Sequence, residues 1–277
     1  MNLVVQGPQL TADQANHLAG LAGSTRIHKI AERAAWRIHN AAKTDAIPEY
    51  CDQQKIDYGF VPEGRRFADL KLVAMDMDST LITIECIDEL GDLAGCKTEI
   101  AGITAQAMRG ELDYPQSLRK RVGLLTGLSE ESLNRVYEER LRLTPGAEEL
   151  LAACKKHGVK LLLVSGGFTF FTDRLKQRLG IDYTISNTLE TAGGRLTGKL
   201  LGDIVDADAK ARRFREVMRE LGARREQTVA IGDGANDLKM MAESGVSVAF
   251  HAKPVVRAQA SCAISWSGLD AVVNLFE

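Results

Sequence analysis

Short, unbroken apolar runs recur through the later part of this 277-residue chain. They stand at Lys71–Met75, Val159–Val164, Thr228–Ile231, Gly245–Phe250 and Cys262–Ser265, each bounded by glycine, serine or aspartate. Runs that lack polar alternation suit strands buried on both faces. Between them lie segments with apolar residues at helical spacing, about Ala147–His157, Phe170–Leu179 and Asp208–Leu221. Alternating strands and helices predict an α/β fold with a doubly wound, mostly parallel, Rossmann-like sheet. A further strand is expected at Asp182–Ser186, and a hairpin over Thr188–Leu201 with Gly193 and Gly194 at its turn.

Two regions depart from this pattern. From Ile84 to about Leu143 the chain reads as four short helices (Glu85–Leu93, Lys97–Met108, Tyr114–Leu124 and Ser129–Arg140), separated by Gly95, Gly110 and Gly127. A helical bundle inserted after the first core strand would form a cap that excludes water and selects the substrate. Residues 1–68 read as a small α/β or mostly helical accessory domain, with a strand at Asn2–Val5, a Thr11-capped helix and a helix over His28–Ala42 supported by Ile30, Ala34 and Ile38. The expected organisation is therefore an accessory domain (1–68), a catalytic core (69–83 and 143–277) and a cap (84–142). His17, His28 and His39 are eleven residues apart, about 16 Å along a helix, too far for one ion.

Composition narrows the field. Net charge is −2 with no basic block, which argues against nucleic acid as the partner. The five scattered cysteines form no CxxC pair, as expected for reduced thiols in a cytoplasmic protein. No export signal and no membrane span is expected, since no apolar run approaches 18 residues.

The candidate chemistry sits where the strands end. Asp76 and Asp78 follow the first core strand, Ser165-Gly-Gly167 the second, and Gly232-Asp-Gly-Ala-Asn-Asp237 another. Ligands of such sheets bind beyond the carboxyl ends of the strands, so the fold gathers these loops. Clustered aspartates need a compensating cation, and oxygen ligands suit Mg²⁺ completed by a substrate phosphate. A carboxylate can act as the nucleophile toward phosphorus, with a second acid protonating the leaving oxygen. A lysine is needed as well; Lys210 is a candidate, with Lys160, Lys199 and Lys239 open on spacing alone.

In order and spacing these motifs resemble those of the haloacid dehalogenase-like phosphohydrolases. Glu85-Cys-Ile-Asp-Glu89, Met108-Arg-Gly-Glu-Leu112, Ser117-Leu-Arg-Lys-Arg-Val122 and Ser165-Gly-Gly-Phe168 are similar to the phosphoserine phosphatase family within it, over about residues 70 to 270. The resemblance implies that Asp76 is the nucleophile and Asp78 the general acid and base. Mg²⁺ would lie on the Asp76 carboxylate, the Asp78 main-chain carbonyl and Asp233, with Asp237 orienting its surroundings. Ser165, Gly166 and Lys210 would bind the phosphoryl group, with Asn236 beside it. In the cap, Glu85 would meet the ammonium and Arg121 the carboxylate of O-phospho-L-serine, with Met108 and Tyr114 shaping the pocket. Relatives often carry Phe where this chain has Tyr114. Asp88, Glu89 and Asp92 read as a solvated helix face, and Ser79 and Thr80 as loop-stabilising.

The implied activity is Mg²⁺-dependent hydrolysis of O-phospho-L-serine through an aspartyl phosphate, closing L-serine biosynthesis. Rival readings are another small phosphate, transfer to a second alcohol, or a receiver module that holds a phosphoaspartate without turnover; the helical insertion and the paired aspartates argue against the last. For residues 1–68, regulatory binding, a homodimer contact and simple stabilisation stay open.

Overall fold

A computed structural model describes residues 1–30 and 33–277. At its centre are six parallel strands in the order β11-β10-β9-β5-β6-β7: β5 (Leu72–Met75), β6 (Lys160–Phe168), β7 (Tyr183–Ala192), β9 (Thr228–Gly232), β10 (Val246–Phe250) and β11 (Cys262–Ile264). The apolar runs end up in the middle because both faces of each strand are covered. On β5, Leu72 and Ala74 pack with Phe214 and Val217 of α9 (Ala207–Glu220) and Met240 of α10 (Leu238–Glu243). Val73 and Met75 face the other layer, with Leu150 and Cys154 of α7 (Ala147–His157) and Phe171 and Leu175 of α8 (Thr169–Leu179). Burying each such aliphatic side chain contributes about 1.5–3 kcal/mol.

Beyond β7 the sheet turns antiparallel with β8 (Arg195–Leu201), the expected hairpin. Its first strand absorbs the segment read as separate at Asp182–Ser186. The cap comprises α3 (Cys86–Leu93), α4 (Lys97–Met108), α5 (Tyr114–Gly123) and α6 (Glu130–Arg135), which runs on as one wider π-helical turn over Val136–Arg140, so that the helix expected over Ser129–Arg140 is present. Two crossings join cap to core: the Thr83 amide donates to the Arg142 carbonyl (3.0 Å), and the Thr144 amide to the Leu81 carbonyl (3.0 Å).

The N-terminal part differs from its sequence reading. Its order is β1 (Asn2–Gln6), α1 (Ala12–Leu21), β2 (Ile27–Lys29), β3 (Ala35–Ile38), α2 (Ala46–Gln54) and β4 (Asp57–Val61), with the strands in the antiparallel order β2-β3-β1-β4, a ferredoxin-like arrangement. The helix expected over His28–Ala42 is replaced by β2 and β3, with Ala31 and Glu32 outside the described residues. The i, i+4 spacing misleads here, because Ile30 lies just after β2, Ala34 just before β3, and only Ile38 is a strand residue. The distance argument for the histidines therefore does not apply to His28 and His39, whose rings are 4.9 Å apart with Nε2 of His39 2.9 Å from Nδ1 of His28. His17 instead packs on Tyr50.

This unit is joined to the core edge to edge, β4 pairing antiparallel with β11. Gly59 permits the close approach, since a Cβ there would lie 2.5 Å from the Cys262 sulfur. The buried Asp57 accepts from the amides of Ser265 (2.5 Å), Trp266 (3.1 Å) and Ser267 (2.8 Å), and the buried Arg37 donates to the carbonyls of Asn274 (2.9 Å) and Phe276 (2.6 Å). Leu3 and Val5 face α1 and α2, while Val4 and Val61 join the cluster under the parallel sheet. Among the described residues no helix is long and apolar enough to cross a membrane.

Candidate active site

The site begins where β5 stops. Asp76 is still extended (φ −70°, ψ 160°), but Met77–Leu81 closes into a tight turn with Ser79 at φ +55°. The alternation that would align Asp76 and Asp78 along a strand is thus broken, yet the turn sends both carboxylates into one cleft. Asp76 Oδ1 accepts from its neighbour's amide, Met77 N (2.8 Å), and from Lys210 Nζ (2.9 Å). Asp78 is held from two sides: Oδ1 accepts from the Cys86 amide at the start of α3 (2.9 Å) and Oδ2 from the Ser165 hydroxyl (3.3 Å).

The end of β6, the loop after β9 and the start of α9 supply the rest. Ser165 Oγ also accepts from the Gly167 amide (2.8 Å). Gly167 must be glycine, since a Cβ would sit 2.7 Å from Asp78 Oδ2. Asp206 caps α9 through the Ala209 amide (2.9 Å), which sets Lys210 in the first turn. Lys210 is fully buried and bridges Asp76 to Asp237 Oδ1 (2.8 Å), while Asp237 Oδ2 accepts from the Gly234 amide (3.1 Å). The structure thereby distinguishes the four lysines that spacing left open: Lys160 pairs with Asp182, Lys239 with Asp208, and Lys199 lies exposed on β8. Thr80 donates to Asp233 (3.4 Å) and Ser79 to Glu85 (2.7 Å).

Electrostatically the floor is short of positive charge. Burial, countered by Lys210 and reinforced by the neighbouring aspartates, pushes the Asp76 carboxyl well above the usual carboxylate range. Asp78 is also raised by burial, against the hydrogen bonding from Cys86. Asp233 is pushed up to about 6 by burial and Asp237. Burial works against the Lys210 charge, but Asp237 and Asp76 outweigh it and hold the ammonium above its ordinary value. Carboxylate oxygens of Asp76, Asp233 and Asp237 lie within 4.8 Å of one another. A hard divalent cation fits that set of oxygen donors and their shortage of countercharge.

Above the floor is a cavity of about 600 Å³, lined among others by Asp76, Asp78, Glu85, Met108, Tyr114, Arg121, Gly166, Asp233 and Asn236. Ser165, Lys210 and Asp237 lie beneath this surface, tied to it by the bonds above. Glu85 stands at the mouth, its carboxyl pushed up to about 7 by lost hydration and then by Asp78. The Tyr114 hydroxyl donates to the Gly166 carbonyl (3.2 Å), joining cap to core. Met108, at the end of α4, is exposed. A groove of similar volume on the cap hinge, near Arg142 and Thr144, carries no comparable acidic cluster among the described residues.

Three further residues line the cleft. Asp88, read as a solvated face, is half-buried there, in the field of Arg121. Lys253 follows β10, its amide donating to the Asp233 carbonyl (3.3 Å); a loop after a parallel strand was the signal for it. Ser117, three residues past Tyr114 and four before Arg121, shares their helix face.

Comparison with known proteins agrees in fold and sequence. A family model described as haloacid dehalogenase-like hydrolase matches residues 73–242, and one described as a domain of unknown function matches 3–47. A phosphoserine phosphatase of Polaromonas sp. is 57% identical over 215 residues, 76% of this chain and 91% of that protein. The structure of a HAD family hydrolase from Salmonella enterica serovar Typhi superposes with a TM-score of 0.90 at 32% identity, covering 100% of this chain and 99% of that one. The unliganded structure of a probable phosphoserine phosphatase from Vibrio cholerae gives a TM-score of 0.85 at 39% identity, covering 99% and 85%.

Proposed function

The chain belongs to the haloacid dehalogenase-like hydrolases and, within them, to the phosphoserine phosphatase family; from that premise we propose that it hydrolyses O-phospho-L-serine to L-serine and phosphate. The observation that carries the reading is the pairing of a floor made for phosphoryl chemistry (Asp76, Asp78, Ser165, Lys210) with a cap wall that offers one acid, Glu85, and one base, Arg121, to a single cavity. A zwitterionic amino-acid phosphate asks for both.

In the first step an Asp76 oxygen attacks phosphorus and forms the aspartyl phosphate, while the bond from phosphorus to the serine oxygen breaks. Asp78, whose raised affinity for a proton suits a general acid, passes that proton to the leaving oxygen. In the second step Asp78 takes a proton from water, the new hydroxide attacks phosphorus, and Asp76 leaves as a free carboxylate. Ser165, the Gly166 amide and Lys210 hold the phosphoryl oxygens, and Asn236 lies beside them. The Asp76 carboxylate, the Asp78 main-chain carbonyl and Asp233 would hold Mg²⁺, with Asp237 orienting that set; when bound, the ion neutralises charge on the phosphoryl group. Glu85 receives the ammonium, Arg121 the carboxylate, and Met108 and Tyr114 shape the space between.

The product makes this the closing step of L-serine biosynthesis by the phosphorylated route. The five unpaired cysteines, four of them buried, support a reducing, cytoplasmic setting. Phosphate release across phosphoserine, phosphothreonine, phosphohomoserine and sugar phosphates, with and without Mg²⁺, tests the assignment. Phosphoserine is expected to be the best substrate; equal turnover of a sugar phosphate would refute it.

A further inference from the structure

Helix α5 presents Tyr114, Ser117 and Arg121 to the cleft from one face, being spaced by three and four residues. The Tyr114 hydroxyl has a partner on the core. Ser117 is 1% exposed, and its hydroxyl has no hydrogen-bond partner. The Nε of Arg121, one turn further along, is likewise buried without one.

A buried hydroxyl without a partner is destabilising, and a helical serine would ordinarily donate to the carbonyl a turn back. Ser117 does neither of the things that would lower this cost: it stays inside, and it leaves the helix carbonyls alone. Such an idle donor is best explained by an acceptor that arrives with the ligand. Asp88 lines the same wall and shares the field of Arg121, so the guanidinium alone is a partly neutralised anchor for an anion. A second donor on the same helix face restores a two-point hold.

We propose that the Ser117 hydroxyl donates to the carboxylate of the bound substrate beside Arg121, and that it is a specificity residue separating amino-acid phosphates from phosphates that lack a carboxylate. This rests on the substrate reading given above. The hydroxyl completes its own hydrogen bonding only when a carboxylate occupies the cap wall, so selection is tied to the relief of a vacancy built into the cap.

The test is Ser117→Ala, assayed on O-phospho-L-serine and on O-phosphoethanolamine, which keeps the phosphoryl and ammonium groups and lacks the carboxylate. Alanine is the best helix former and the free protein loses no hydrogen bond, so the thermal midpoint should hold or rise. The ratio of kcat/KM for phosphoserine to that for phosphoethanolamine is expected to fall about ten-fold, through KM. L-serine binding, measured by calorimetry, is expected to weaken by a like factor, with ethanolamine binding unmoved. Equal losses on both substrates would give Ser117 a merely structural role, and an unchanged ratio would deny it any; either overturns the proposal. A wild-type protein that takes phosphoethanolamine as readily as phosphoserine would instead overturn the substrate reading, a result separable from the behaviour of the variant.

Discussion

The floor of the cleft and its cap wall are built on opposite rules. On the floor each carboxylate is engaged: Asp76 by Met77 and Lys210, Asp78 by Cys86 and Ser165, Asp233 by Thr80, Asp237 by Lys210 and Gly234. On the wall, Ser117 Oγ and Arg121 Nε have no partner and Met108 stands open. A network already engaged in the free protein fixes geometry in advance, which is what charge development in a transition state requires. An unsaturated one waits for a ligand to finish it. On the function proposed above, the difference puts chemistry in the floor and choice in the wall, and variants on each side should fail in different ways.

The sharpest break comes at the floor. Asp76→Asn removes the proposed nucleophile while keeping its shape, so turnover should fall by about 10⁴-fold or more, with the melting curve retained; phosphate release and circular dichroism check both halves. Lys210→Met should damage activity and fold together. With Lys210 fully buried, its loss leaves Asp76 and Asp237 without a cation, at about 3–5 kcal/mol, measurable by urea unfolding of the metal-free protein. On the wall, Arg121→Met should raise KM for phosphoserine about 10–100-fold at nearly constant kcat and stability; a fall in kcat alone would blur the division. Tyr114→Phe, at the seam between the two regions, removes one neutral hydrogen bond and should raise KM about five-fold. The smallest effect is a titration. In the metal-free protein the Glu85 carboxyl, raised to about 7, is ionised above that pH and neutral below it. Added Mg²⁺, by compensating Asp78 and Asp233, should move the midpoint down, as carboxyl carbon-13 NMR would register.

The core was legible because its strands are buried on both faces and their apolar runs say so; Lys71–Met75 and Thr228–Ile231 end at the acidic loops as a parallel sheet requires. The N-terminal strands were not. Ile30, Ala34 and Ile38 have the spacing of a helix face, and what decides is the neighbour: β3 lies between β1 and β2, a tertiary fact absent from local spacing. In the site, aspartates just after an apolar run could be placed from sequence, Asp76 and Asp233 above all. Asp88 could not, because an acid on a helix reads as solvated until the opposing wall is known. Ser117 was within reach, since its offsets from Tyr114 and Arg121 share a helix face, but a serine in a charged helix carries no chemical signal until its surroundings are seen to be dry.

The β7–β8 hairpin leans across from the core onto the cap. Amides of Gly127 and Glu130 donate to carbonyls of Leu196 (2.8 Å) and Gly194 (3.0 Å), the Leu196 amide donates back to Leu128 (2.8 Å), and a Cβ on Gly198 would collide with Thr126. Together with the crossings at Thr83 and Thr144, this pins the cap along two of its borders. Contacts on two borders share the work of seating the cap over the cleft. The bend between α4 and α5, where Met108 is in water, borders the cleft on its remaining side.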